Sequence, residues 1–496
     1  MPFEHRLHPA SFLFAITGHL RNLIVPALAV VFTAGATGAA WELWLILAAF
    51  PLAFFALVRS LSYRYRLEEA ELVVRTGFVF RNERHIPYGR IQNVEAIQNV
   101  LHRLFDVVEV RIETGATNED EATMRVVRVP AYHEIRDRVV AHRAGAVPGE
   151  ADAVADKGDL LLSLPVGELL LSGLIANRSF VVIAAALGIL WELGLFEPAF
   201  EWIFGEGVTN RRAVRQFFQT ILGGGFPSLW YIGLGLLFVA SITAISMIWA
   251  LVRLYGFTLR RAGDDLLVEY GLLTRITTTI PIRRVQTLTV YDGPLYRLFG
   301  RANVKVQTAG GESGQENTAQ KEPLVPIVRR ADLDRVLQQV LPEVHIPGAE
   351  WQPPAARAFG RELRQSAAAS ALLAALLAGM LGTRALLIFA ALLALSAIHA
   401  RRYVRTLGWA LVDNAVLFRR GWVWRRLTAA RFSKLQTIVL HESPFDRRTG
   451  MARVQVDTAG TGGGADAVNI PYIAVDAARQ LHERLAAEAS RTRFEW

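Results

Sequence analysis

Three stretches of the chain align without gaps from a shared glycine: GFVFRNERHIPYGRIQNV from Gly77, GLLTRITTTIPIRRVQTL from Gly271 and GWVWRRLTAARFSKLQTI from Gly421. In each stretch a basic residue lies thirteen positions after the glycine and a glutamine lies fifteen positions after it. These residues are Arg90, Gln92, Arg284, Gln286, Lys434 and Gln436. A threonine follows at plus thirty-seven in every copy. Matches at identical offsets indicate an internal repeat.

Beyond the shared stretch, each copy continues with alternating apolar and polar residues, as in VEVRIET, VKVQTA and VQVDTA. A period of two is typical of half-buried β-strands. Each copy then ends in a helix-like stretch such as ADLDRVLQQVL. The repeat unit is therefore predicted to be an α+β domain of antiparallel strands, a small β-barrel or sandwich capped by one C-terminal helix.

A pair of apolar runs precedes each repeat, at residues 23–40 and 43–58, 180–195 and 229–254, and 366–400 interrupted at 382–384. The runs approach the roughly 20 residues that a helix needs to cross a bilayer, so each pair predicts a transmembrane α-helical hairpin. The two halves of the third pair are short and rich in alanine, so a shallow re-entrant hairpin is the alternative there.

These patterns predict the following order along the chain: an N-terminal segment with the first hairpin (1–61), the first domain (62–148), a linker (149–178), the second hairpin with its outside loop (179–254), the second domain (255–345), a linker (346–365), the third hairpin (366–400) and the third domain (401–490).

Arginines flank the hairpin ends that face the termini and the soluble domains. Basic residues beside spans mark the cytoplasmic side, so both termini and all three domains are predicted to be cytoplasmic. The loop 195–228 departs from this rule because it carries Arg211, Arg212 and Arg215. Apolar residues at helical spacing in 210–222 predict an amphipathic helix on the outer surface there.

Composition excludes several kinds of site. There is no cysteine among the 496 residues, which excludes disulfides and thiolate metal centres. The eleven histidines are scattered without metal-ligand spacing, and the glycine-rich loops lack the lysine of a phosphate loop. We therefore predict no enzyme activity, no cofactor and no metal. The net charge of +9 is interpreted as membrane topology and inner-leaflet attraction, without a nucleic-acid partner.

The repeated motif resembles the bacterial pleckstrin-homology (PH) family of membrane proteins, the YdbT-like group with three tandem domains. The resemblance rests on Ile86-Pro87, Arg90-Ile91-Gln92 and Val110-x-Ile112-x-Thr114, and on Leu-x-x-Leu-Phe at 101–105. The second copy keeps most of this pattern, whereas the third has Ala430-Arg431 in place of Ile-Pro. The family implies PH-like barrels on the cytosolic face of a bacterial membrane, without an established enzymatic activity or ligand.

Two sets of residues are candidates for interaction. In the first, the repeated cation and glutamine lie two residues apart on one strand face and could meet a lipid head group. The alternative is that the glutamine amide satisfies backbone groups. The second set belongs to the third domain, where residues 401–496 carry a net charge of +7. Its members near the membrane are Arg401, Arg402, Arg405, Arg419, Arg420, Arg425 and Arg426, with Trp422 and Trp424 expected at the interface.

The predicted function is a non-enzymatic, multi-pass scaffold of the cytoplasmic membrane, with a place in envelope maintenance or stress response. Its expected partners are membrane lipids, with anionic lipids as the candidates, and a membrane or cytosolic protein. A transporter or lipid-moving protein that uses the six-helix bundle is the alternative, although the apolar runs lack paired intramembrane charges. Glu192 near the outer end of a span is interpreted as an interfacial residue rather than part of a transport route.

Overall fold

The structure, a computed structural model, describes residues 5–6, 63–77, 81–114, 122–144, 158–175, 228–308, 324–342, 344, 346–381, 385–458 and 468–491. The predicted first hairpin, the apolar run 180–195 and nearly all of the loop 195–228 lie outside these residues.

Strands make up most of each repeat. They are β1 (His5–Arg6), β2 (Arg64–Leu67), β3 (Glu71–Thr76), β4 (Asn82–Pro87), β5 (Ile91–Asn99), β6 (Val107–Thr114), β7 (Ala122–Arg128), β8 (Asp159–Ser163), β9 (Thr258–Ala262), β10 (Asp265–Tyr270), β11 (Thr274–Pro281), β12 (Val285–Asp292), β13 (Arg301–Thr308), β14 (Val325–Arg329), β15 (Gly408–Val412), β16 (Ala415–Arg420), β17 (Arg425–Arg431), β18 (Leu435–His441), β19 (Met451–Thr458) and β20 (Val468–Ala474).

The helices fall into short caps and long apolar segments. They are α1 (Val100–Leu104), α2 (Val129–Ala144), α3 (Val166–Ile175), α4 (Ser228–Leu254), α5 (Pro294–Leu298), α6 (Arg330–Val340), α7 (Ala358–Leu381), α8 (Ala385–Thr406), α9 (Pro444–Thr449) and α10 (Val475–Arg491).

Each repeat consists of two half-sheets and a closing helix. The first half-sheets are β2–β4, β9–β11 and β15–β17, and the second half-sheets are β5–β7, β12–β14 and β18–β20. In repeat 1 both half-sheets and α2 enclose one apolar core that contains Leu72, Val110 and Ile135. In repeat 3 the equivalent core contains Val416, Val454 and Leu481. Two layers of strands closed by a helix are consistent with the PH-like domains that the sequence predicted.

The shared glycine has the same structural role in all three repeats. The φ angle is 94° at Gly77, 114° at Gly271 and 85° at Gly421, a left-handed region that favours glycine. A Cβ atom would lie 1.9 Å from the Thr274 carbonyl oxygen at Gly271 and 2.1 Å from the Trp424 carbonyl oxygen at Gly421. A side chain therefore does not fit this turn at Gly271 and Gly421, and the positive φ favours glycine at Gly77 as well.

The half-sheets of neighbouring repeats join into continuous sheets, which the sequence did not predict. The seven-stranded sheet has the order β7-β6-β5-β11-β10-β9-β8, and the six-stranded sheet has the order β14-β13-β12-β17-β16-β15. The first junction pairs β5 with β11, from Asn99 opposite Thr274 to Glu95 opposite Thr278. The second junction pairs β12 with β17, from Asp292 opposite Arg425 to Thr287 opposite Ala430.

The compact units of the chain reflect this sharing. One unit comprises residues 1–164, 253–284 and 310–315, and the other comprises 165–252, 285–309 and 316–496. The predicted second domain, 255–345, is thus divided, because β9–β11 extend the sheet of repeat 1 while β12–β14 extend that of repeat 3. Pairing of backbone groups across repeats removes edges that each repeat would otherwise expose.

A short segment before each apolar stretch pairs with the first strand of the repeat that follows. His5 lies opposite Tyr65, Asp159 lies opposite Arg261, and Gln352 forms a bridge with Trp409. The second and third of these segments lie in the stretches 149–178 and 346–365, which were predicted as linkers. Both stretches contain regular structure, including β8, α3 and the start of α7.

Two helices in the described part of the chain are long and apolar enough to cross a membrane: Leu236–Leu254 in α4 and Leu386–Thr406 in α8. Only 6% of the residues in each window are buried, unlike the core helix of a soluble protein. α7 and α8 pack together, with the Ser370 and Ser396 hydroxyl oxygens 3.1 Å apart. The described residues thus contain two candidate spans, and the six-helix bundle that the sequence predicted stays a prediction.

Candidate membrane and partner interface

The predicted cation and glutamine lie at a 3-10 turn that links the two half-sheets. The turns are Tyr88–Arg90, Ile282–Arg284 and Phe432–Lys434. Each turn begins with a buried apolar residue eleven positions after the shared glycine. All three copies have a large apolar residue at this position, Tyr88, Ile282 and Phe432, but the residue types differ and gave no repeat signal in the sequence.

The side chains at the repeated positions do not share one environment. Arg90 is exposed, whereas Arg284 and Lys434 are only 8% and 3% exposed. Gln286 is 4% exposed and Gln436 is exposed, while the side chain of Gln92 lies outside the described residues. The Oε1 atom of Gln286 has no hydrogen-bond partner among the described residues. Both hypotheses for these positions, lipid contact and backbone satisfaction, stay predictions.

The three basic residues at the end of α8 are exposed. Arg401, Arg402 and Arg405 lie in its last two turns, after the apolar part of the candidate span. Cations at a helix C-terminus are favoured by the helix dipole, and on the cytoplasmic side they also attract anionic lipid. Their position therefore agrees with either role.

The four arginines of the β16–β17 hairpin differ from those of α8. The Arg419 guanidinium lies 4.4 Å from the ring centre of Trp351, and that of Arg426 lies 5.1 Å from the ring centre of Tyr291. Arg425 is opposite Asp292 in the second junction, and Arg420 is partly buried. Several of these residues thus hold neighbouring segments together.

Both tryptophans of the same hairpin lie beside other elements of the interface. The Trp422 Nε1 donates a hydrogen bond to Nδ1 of His399 on α8 at 3.1 Å. The carbonyl of Trp422 accepts from the Arg297 guanidinium at 2.9 Å. Trp424 is 59% exposed and would lie 3.5 Å from a Cβ atom at Gly293. The hairpin, the start of α5 and the end of α8 therefore meet at one place.

The Leu-x-x-Leu-Phe motif forms exposed short helices. From the sequence alone, the motif was interpreted only as part of the repeat pattern. Leu104 on α1 and Leu298 on α5 are each 75% exposed, and Phe105 and Phe299 follow them. In repeat 3 the equivalent helix α9 exposes Phe445, over which the Arg361 guanidinium lies at 5.3 Å.

These helices form an apolar surface at each junction. At the first junction, the Arg103 guanidinium on α1 donates to the carbonyls of Leu272 and Leu273, which both expose their side chains. The first junction surface comprises Val100, Leu101, Leu104, Phe105, Leu272 and Leu273. The second junction surface comprises the exposed Leu298, Phe299 and Trp424 and the partly buried Trp422. Contiguous exposed apolar side chains mark sites of protein or membrane contact.

The start of α7 is fixed to repeat 3 by polar contacts. The Tyr472 hydroxyl donates to the Glu362 carboxylate at 2.6 Å, and the Arg361 guanidinium donates to the Asp446 carboxylate at 3.1 Å. Burial favours the neutral acid at Asp446, but hydrogen bonds from Ser443 and Arg361 outweigh it and lower the pKa of this carboxyl. Because α8 continues directly into β15, both ends of the α7–α8 hairpin are attached to the same repeat.

Groups of three or more His, Asp or Glu side chains placed to hold a metal ion are absent from the described residues.

The sequence of the chain is similar to those of known proteins. The family model described as bacterial PH domain matches residues 22–143, 210–344 and 368–489. Transmembrane protein YdbT of Bacillus subtilis (strain 168) is 23% identical over 363 residues, which cover 68% of this chain and 69% of that protein. No solved structure matches the chain significantly.

Proposed function

The chain belongs to the bacterial PH domain family, and from this premise we propose that it is a non-enzymatic, multi-pass scaffold of the cytoplasmic membrane. Its PH-like repeats would bind the inner leaflet through the two junction surfaces and present their remaining surfaces to a protein partner. The similarity to a transmembrane protein supports a membrane location, but it does not indicate an activity.

The observation that carries this proposal is the position of the junction surfaces beside the ends of the candidate spans. α4 ends at Leu254, and the next carbonyl, that of Tyr255, accepts from the Gly271 N–H at 2.8 Å. Leu272 and Leu273 follow immediately. At the second surface, Trp422 bonds to His399, which lies one turn before Arg402 on α8. Apolar, aromatic and basic groups occur together at a membrane–water interface.

The strand pairing supports an even number of crossings in each apolar stretch. The chain leaves the sheet after β8 and returns to the same sheet at β9, where Ser163 is opposite Thr258. The chain likewise departs after Gln352 and returns to pair with it at Trp409. A segment that leaves and re-enters one sheet has its two ends on one side of the bilayer. With the flanking arginines, this favours cytoplasmic repeats.

Hydrogen exchange of the full chain tests the membrane contact. The chain would be placed in detergent, in neutral phosphatidylcholine nanodiscs and in nanodiscs that also contain phosphatidylglycerol. We expect amide exchange at 100–105, 272–273, 295–299 and 422–424 to be slowest with the anionic lipid. Equal exchange in the three environments would contradict the proposal.

Substitutions sharpen this test. Leu104→Asp and Leu298→Asp change side chains that are 75% exposed, so the fold should be retained. Each should abolish the lipid-dependent protection of its own surface because a carboxylate does not enter the interface. Leu160→Asp is the matched control, since Leu160 is 55% exposed but lies on β8, outside both surfaces.

A further inference from the structure

Two sheet edges of the chain correspond to the edges that are paired at the internal junctions. β4 is the last strand of the sheet β1-β2-β3-β4, and β18 is the first strand of the sheet β18-β19-β20 within the described residues. By position in the repeat, β4 is equivalent to β11 and β17, and β18 is equivalent to β5 and β12. Both internal junctions consist of these two strand types.

Exposure distinguishes the two outer edges from their paired equivalents. Residues 82–85 of β4 are all exposed, whereas the equivalent residues 276–279 and 426–429 are partly or fully buried. On β18, Gln436 and Thr437 are exposed, whereas Gln286 and Thr287 at the same positions of β12 are 4% and 1% exposed. Exposed edges with unpaired backbone groups are templates for another strand.

We propose that β18 of one molecule pairs with β4 of a second copy of this chain, in the register of the internal junctions. In both junctions, the arginine four positions after the shared glycine of one repeat lies opposite a residue of the preceding repeat. That residue lies twenty-one positions after the shared glycine of its own repeat. The two pairs are Arg275 with Gln98 and Arg425 with Asp292. The same register places Arg81 of the second copy opposite Glu442. Unlike charges at this pair match the observed Arg425 and Asp292.

A second contact of the junctions is also repeated in the sequence. Arg103 and Arg297, twenty-six positions after their glycines, donate to the carbonyl of the first residue after the next glycine. Repeat 3 keeps this arginine as Arg447, which is exposed at the end of the chain of repeats. Repeat 3 therefore carries the equivalent donor.

The contact is heterologous, because two different edges meet. Such interfaces produce a ring when the rotation closes and a filament when it does not. This inference is independent of the lipid contact proposed above, since the strand edges lie outside both junction surfaces.

Cysteine cross-linking in native membranes tests the pairing, and the chain has no natural cysteine that could cross-link in place of the introduced ones. Arg84→Cys in a chain with one tag and Val439→Cys in a chain with another tag occupy the positions equivalent to Thr428 and Thr289, whose hydroxyl oxygens are 3.3 Å apart. We expect oxidation to give a dimer with both tags. Arg84→Cys with Leu440→Cys is the control, because adjacent strand residues point to opposite faces.

The outcomes are distinct. A two-tag dimer from the 84/439 pair, several-fold above the 84/440 pair, supports the proposal. Absence of that dimer overturns it when each variant retains the wild-type Tm. A cross-link confined to single chains of the doubly substituted Arg84→Cys/Val439→Cys protein also overturns it, since the two edges would then belong to one molecule.

Charge reversal tests the register itself. Glu442→Arg should reduce the two-tag dimer about two- to five-fold, the effect of one exposed ion pair. Arg81→Glu on the other chain should restore the yield. A reduction that Arg81→Glu deepens would contradict the proposed register.

Discussion

At the scale of single residues, one left-handed backbone position recurs twenty-nine residues after each shared glycine. Its φ is 50° at Asp106, 62° at Gly300 and 66° at Gly450. The carbonyl at this position accepts a hydrogen bond from the first N–H of the closing helix, at 3.4, 3.1 and 3.1 Å in repeats 1 to 3. This position could not be recognised by comparing the repeats, because repeat 1 has Asp106 where the other two have glycine. Aspartate also tolerates left-handed backbone.

Gly450→Ala should therefore destabilise repeat 3. A Cβ atom has open space there, so the cost comes from the backbone alone, about 1–2 kcal/mol. The expected result is a lower Tm in detergent, by about 2–4 °C for each kcal/mol. Gly450→Asn is the control and should cost less, since asparagine adopts this conformation more readily. Equal effects of alanine and asparagine would contradict the backbone explanation.

Glu168 makes a second residue-scale contact whose strength depends on pH. Its carboxylate accepts two hydrogen bonds from the Arg301 guanidinium, at 2.7 and 2.8 Å. These bonds, with the charges of Arg301 and Arg329, outweigh burial and lower the pKa of Glu168 below its usual 4.5. A lowered acid pKa stabilises the fold above the ordinary pKa, and this contribution is lost as pH falls through the lowered value.

Glu168→Gln should consequently lower the stability by about 1–3 kcal/mol at pH 7, the range for hydrogen bonds to a charged group. The difference between variant and wild type should shrink as pH falls below 4.5, because protonation removes the same charge. Thermal unfolding from pH 7 to pH 3.5 measures this. Glu350→Gln at an exposed site is the control. A difference that does not change with pH would refute the assignment.

At the scale of elements, the sequence predicted those features that one repeat determines by itself. Alternation at Val110 and Ile112 predicted inward side chains, and both are fully buried. The shared sheets could not be predicted, because an edge strand contains no local signal for the neighbour with which it pairs. The same limit applies to the repeated basic residues. Arg90 and Lys434 occupy the same position of the repeat, but the segments that surround this position in each repeat determine whether the side chain is buried.

The second junction provides an element-scale prediction. The Thr289 and Thr428 hydroxyls are buried and lie 3.3 Å apart across β12 and β17. Thr289→Val leaves the Thr428 hydroxyl without this partner and should cost about 1–3 kcal/mol. The double variant with Thr428→Val should cost clearly less than the sum of the single variants, since both polar groups are then removed. Thermal unfolding of the four proteins completes the cycle. Additive costs would show that the hydroxyls do not interact.

At the scale of the whole molecule, repeated pairing of segments before and after each apolar stretch is the feature that organises the chain. β1 with β2, β8 with β9, and Gln352 with Trp409 place the same connection in front of every repeat. Composition and basic residues predicted hairpins, but they could not show that the chain returns to the sheet it left. All three stretches therefore begin and end at segments that pair with each other.

Fusions to a phosphatase that is active only outside the cytoplasm test this topology. Each apolar stretch returns to its starting sheet, and arginines flank the returning ends, so all repeats should lie in the cytoplasm. Fusions at residues 42 and 206 should be active, and fusions after residues 146, 346 and 496 should be inactive. A cytoplasmic reporter at the same five sites is the control and should give the opposite pattern. Phosphatase activity after residue 346 would require an odd number of crossings between β8 and repeat 2, which is incompatible with the pairing of β8 and β9 on one side of the membrane.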